Sequence, residues 1–85
     1  MSVFHHKAIL LKQDEPNYWF QFFPDFVGND TLWGEFCFNI NDGSFEITHT
    51  VDHPQAERSV FALIHKIRKT HKTSHTIPDE VYFIA

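Results

Sequence analysis

The chain has 85 residues, 42% of them hydrophobic and 16% aromatic, and a formal net charge of −4. That length makes a single domain, 1–85, which buries only about 60–65% of its unfolded surface, while the aromatic content argues against intrinsic disorder. Cys37 is the only cysteine, which excludes an internal disulfide and a cysteine-based metal site within one chain.

The charge is unevenly spread. Residues 53–75 hold five basic side chains (Arg58, Lys66, Arg68, Lys69, Lys72) against the one acid Glu57, a balance of +4 that leaves −8 for the rest of the chain. A four-residue apolar run, Ala8 to Leu11, is too short for a signal-peptide core or a membrane span, so a cytoplasmic protein without membrane contact is expected.

Residues 2–13 read as a first strand, with Ala8-Ile9-Leu10-Leu11 suggesting burial on both faces. Asp14-Glu15-Pro16-Asn17 is a turn cluster, and Pro16 stops the ladder there. Residues 17–23, NYWFQFF, are strong β-formers. Tyr18, Phe20 and Phe22 fall on one face and Trp19, Gln21 and Phe23 on the other. The first face is assigned to the core because burying Gln21 unpaired is costly. Pro24 to Asp30 is a loop.

Thr31 to Val51 carries the strongest local signal: two alternating apolar runs around Asp42-Gly43, a hairpin signature. A two-residue loop pairs Asn41 with Ser44, Ile40 with Phe45, Phe38 with Ile47, Phe36 with His49 and Gly34 with Val51. The opposite face then pairs Asn39 with Glu46, Cys37 with Thr48 and Glu35 with Thr50. A one-residue slip would mix the faces and is disfavoured.

A helix is expected from about 54 to 72, with Pro54 in its first turn and His53 as cap. Ala56, Val60, Leu63, Ile64 and Ile67 make one apolar stripe, and the basic residues at its end complement the helix dipole. Val81 to Ala85 reads as a last short strand, either at an edge or tucked against the helix. The expected fold is therefore α+β: a four-stranded antiparallel meander with a fifth short C-terminal strand, packed on one face by a single long amphipathic helix. This element order is a common layout among small bacterial proteins, and no residue role carries over from layout alone.

Chemistry is sparse. No GxSxG, P-loop or GxGxxG pattern occurs, and paired acids such as Asp14-Glu15 and Asp79-Glu80 sit in turns, so no enzyme activity and no cofactor is expected. His49/His53 and His71/His75 have four-residue spacing, but neither pair sits wholly on a helix or has a third ligand nearby, so no metal is expected. The Cys37 thiol has Glu35 as its nearest charge in sequence, the wrong sign for activation.

Three features remain. One helix covers one face of a sheet, so Trp19, Phe23, Trp33 and Cys37 point away from it and form a candidate protein interface, most simply a homodimer or a contact with another protein. Lys66, Arg68, Lys69 and Lys72 form a candidate basic patch, which makes a nucleic-acid-contacting module the alternative; the acidic chain and the lack of interleaved aromatics count against it. His49, placed on the core face beside Phe36, is a candidate pH-sensitive residue or the mouth of a small-ligand pocket.

Overall fold

The computed structural model describes residues 5–84; the expected first-strand positions 2–4 and the final Ala85 lie outside the described residues. The elements are β1 (His5–Asp14), β2 (Asn17–Phe23), β3 (Gly34–Asn39), β4 (Phe45–His49), α1 (Ala56–Ser74) and β5 (Glu80–Ile84). The strands form one antiparallel five-stranded sheet in the order β4-β3-β2-β1-β5. This is the α+β meander the pattern predicts. The placement of β5, left open by the sequence, is beside β1, with Lys7 opposite Tyr82 and Ala8 opposite Val81. The chain leaves one edge after β4, crosses the sheet as α1, and returns at the other edge. β2 is therefore the middle strand.

The core follows strand and helix periodicity. Tyr18, Phe20 and Phe22 are buried, with Phe36 and Phe38 beside them and Val60, Leu63, Ile64 and Ile67 of α1 above. Phe20 and Phe36 stack with centroids 5.4 Å apart. Each such side chain contributes about 1.5–3 kcal/mol through burial. α1 packs on β5, β1 and β2, so the core-side residues of β4, Phe45 and Ile47, are only half-buried.

The helix starts two residues later than the proline suggests. Pro54 and Gln55 form a turn, and His53 organises it: its Nδ1 accepts the Gln55 N–H at 3.0 Å and its carbonyl accepts the Ala56 N–H at 3.1 Å. The other end runs two residues past Lys72, to Ser74. There His75 turns into the left-handed region, φ 59°, and its N–H closes on the His71 carbonyl.

The hairpin register is a correction. Phe38 pairs with Phe45 and Phe36 with Ile47, two residues away from the expected partners. The loop is Ile40 to Gly43, closed by the Asn39 N–H on the Ser44 carbonyl at 2.9 Å. A two-residue loop of the expected kind needs positive φ at both central residues, but of Asp42 and Gly43 only Gly43, at φ 73°, has it. Asp42 instead uses its carboxylate to accept the Ser44 N–H and hydroxyl, at 2.9 and 2.6 Å. The shift is even, so Phe36, Phe38, Phe45 and Ile47 keep the core side.

A bulge then undoes that parity for His49. The register slips between Phe36 and Glu35, leaving Thr48 as the extra residue, so His49 lies opposite Glu35 rather than Phe36. His49 is exposed and does not sit between helix and sheet. The predicted core-face histidine and pocket mouth are thus absent at this position. A second bulge interrupts β1 between Leu10 and Lys12, which leaves Leu11 49% exposed; the apolar run Ala8–Leu11 is not buried throughout.

The buried histidine is a different one. His6 is 3% exposed. Its Nδ1 lies 2.8 Å from the Pro24 carbonyl, and a carbonyl only accepts, so Nδ1 carries the proton. The ring stacks on Phe83 at 6.0 Å.

Candidate functional site

The sheet face opposite α1 is built by four cross-strand rows, the last of them Asp14, Asn17 and Asn39. Tyr82, Lys7 and Phe23 form the first row; Glu80, Ile9, Gln21, Glu35 and His49 the second; Lys12, Trp19, Cys37 and Glu46 the third. The alternation of β2 and β3 places Trp19, Phe23 and Cys37 here as predicted. The bulge in β1 brings Lys12, rather than Leu11, opposite Trp19. Trp33 precedes β3, and its ring stacks on His49 with centroids 4.8 Å apart; it is 42% exposed.

The face is more polar than the four predicted residues imply. Lys12 Nζ lies 4.5 Å from the Trp19 ring centroid, a cation–π distance. Lys7 Nζ lies 5.5 Å from Phe23, 5.7 Å from Phe26 and 6.0 Å from Tyr82. Phe26 comes from the loop after β2, whose backbone is tied down by the Phe26 N–H on the His5 carbonyl at 3.2 Å. Its ring meets Tyr82 edge-on at 5.6 Å. The two lysines thus cover Trp19 and Phe23 in part, and both rings are half-buried.

Sequence reasoning missed Lys7, Lys12, Phe26 and Tyr82. Lys7 and Lys12 have opposite parity in a regular strand, and only the β1 bulge puts them on one face. Tyr82 needed the position of β5.

The charges divide by strand. β1 contributes Lys7, Lys12 and, at its end, Asp14; β2 contributes none; β5 contributes Glu80; β3 and β4 contribute Glu35 and Glu46. Glu35 is oriented by the Thr48 hydroxyl, which donates to it at 2.6 Å. Cys37 lies between them, and burial, then the Glu46 carboxylate, and more weakly Glu35, push its thiol up. That environment disfavours the thiolate. The Tyr82 phenol is raised chiefly by donating to Glu80 at 3.1 Å.

The structure splits the basic patch. Lys66 and Lys69 line an open cleft of about 540 Å³ with His65, Thr70 and Phe83, and Lys72 is exposed. Arg68 is turned to the other flank, where its guanidinium donates from Nε, at 3.2 Å, and from Nη2 to the Gly43 carbonyl. The hydroxyls at the end of that cleft, Thr70, Thr73 and Ser74, donate to helix carbonyls four residues back. Among the described residues no three His, Cys, Asp or Glu side chains converge as a metal centre requires, and no helix is long and apolar enough to cross a membrane.

No protein-family model matches the chain, and no curated protein or solved structure matches it either.

Proposed function

We propose that this chain is a small non-enzymatic protein-binding domain that self-associates through the sheet face opposite its helix. The observation that carries the reading is the arrangement of that face. α1 occupies the other side, and the middle strand turns Trp19 and Phe23 outward, with Trp33 and Tyr82 at the margins. Tryptophan and tyrosine dominate binding energy in protein interfaces, whose rims are polar. The raised Cys37 thiol counts against nucleophilic chemistry at that sulfur. The nucleic-acid alternative loses support because Arg68 is committed to the hairpin turn, away from Lys66 and Lys69.

Analytical ultracentrifugation over a wide concentration range tests the reading. Self-association that Trp33→Ser weakens by about 2 kcal/mol, with the monomer's melting temperature nearly unchanged, is the expected result. A chain that stays monomeric at the highest concentration refutes it.

A further inference from the structure

Resting on that reading of the outer sheet face, we infer its geometry of use: a second copy docks face to face about a two-fold axis that runs along β2. A two-fold interface must be self-complementary, because each surface meets its own copy. Two simple axes lie in the plane between stacked sheets. An axis across the strands, at the level of Gln21, keeps each strand over its own copy and inverts the rows. Lys7 then faces the partner's row of Lys12, and Glu35 faces its own copy. Like charges meet at β1, β3 and β5, which is costly at an interface.

An axis along β2 does the opposite. It keeps the rows level and exchanges β1 with β3 and β5 with β4, an exchange that the strand order β4-β3-β2-β1-β5 permits because β2 is central. Trp19 and Phe23 then meet their own copies at the axis. Glu35 of one copy lies level with Ile9 of the other, between the rows of Lys7 and Lys12. Glu80 lies level with His49. None of these pairings sets like charges together. Sheets stacked in this way cross at about −30°, so the match is closest near β2.

Size agrees. The face spans all five strands, which lie about 4.8 Å apart, and a standard interface takes roughly 800 Å² from each partner. Lys7 and Lys12 rest on aromatic rings of their own copy and, among the described residues, form no ion pair with a carboxylate, so their charge is available to the partner's Glu35 and Glu46.

A charge-exchange experiment decides it. One variant carries K7E and K12E, giving an acidic face; the other carries E35K and E46K, giving a basic one. Circular-dichroism melts establish that each folds. Each alone is expected to self-associate at least about tenfold more weakly than wild type, the loss of about 1.4 kcal/mol. An equimolar mixture is expected to recover a heterodimer near wild-type affinity, and raised salt to weaken it. If both variants weaken but the mixture does not recover, the axis along β2 is overturned while the face remains the binding surface. If both self-associate like wild type, the axis along β2 is overturned, because an axis across the strands, which only exchanges one like-charge pair for another, or a different surface then holds the dimer. A monomeric wild type overturns self-association itself.

Discussion

Replacing Gly34 with alanine should destabilise the fold through two contacts that have no room to relax. Gly34 opens β3 and is buried opposite Phe22. A Cβ built there falls 2.6 Å from the His49 carbonyl oxygen and 2.6 and 2.7 Å from Cε1 and Cζ of Phe22. The oxygen belongs to the backbone just beyond the β4 bulge, and the ring is 1% exposed in the core. Neither is the loose end of a flexible side chain. Overpacking of this kind costs about 1–3 kcal/mol, and two anchored neighbours put Gly34→Ala at about 3 kcal/mol. For a domain of this size each kcal/mol moves the melting temperature by about 4–8 °C, so a fall of roughly 12–24 °C is expected. Thermal and urea unfolding followed by circular dichroism measure it. The sign is diagnostic: at a glycine with open space and ordinary dihedrals, alanine raises stability by about 0.4–1 kcal/mol. An unchanged or higher melting temperature would show that β3 and β4 do not approach as described, and that the bulge placing His49 beside Trp33 is misassigned.

Three further outcomes follow from particular side chains. Burial lowers the pKa of His6, with the Pro24 hydrogen bond opposing and His53 adding to the effect; its folded value lies below the unfolded value of about 6.5, so its contribution is intact above that pH and declines as pH falls toward the folded value. Urea midpoints measured across this range should fall more steeply in wild type than in His6→Gln, and parallel profiles would refute the assignment. The Ser59 hydroxyl is buried without a hydrogen-bond partner, so Ser59→Ala should stabilise by about 0.5–1 kcal/mol through removal of an orphan donor and better helix propensity; a destabilised variant in urea titration would contradict this. Arg68→Ala should cost about 0.5–1 kcal/mol by releasing the Gly43 carbonyl, with faster amide exchange at Gly43 and Ser44; unchanged exchange would show that the guanidinium does not brace the turn.

Part of the candidate site was legible because face assignment within a strand is local. Trp19, Phe23 and Cys37 face outward by alternation alone, without knowledge of their neighbours. Lys7 and Lys12 were not legible, since their shared face depends on a bulge that appears only when β1 is paired with β2. His49 shows the same limit from the other side: alternation placed it inward, and one unpaired residue, Thr48, turned it outward.

The sequence by itself determined that there would be a meander, a helix after it, and a core of Tyr18, Phe20, Phe22, Phe36, Phe38, Val60, Leu63, Ile64 and Ile67. Periods of about 2.0 and 3.6 residues are properties of consecutive positions, so they survive any arrangement of the elements. Tertiary structure alone decided the hairpin register, because an even shift leaves every face unchanged and the alternating pattern cannot detect it. It also decided the two bulges and the place of β5 beside β1. Those three facts decide which charged residues of the outer face lie on either side of β2. They arise from pairings between distant segments, where side-chain fit and turn geometry, rather than local pattern, select the neighbour.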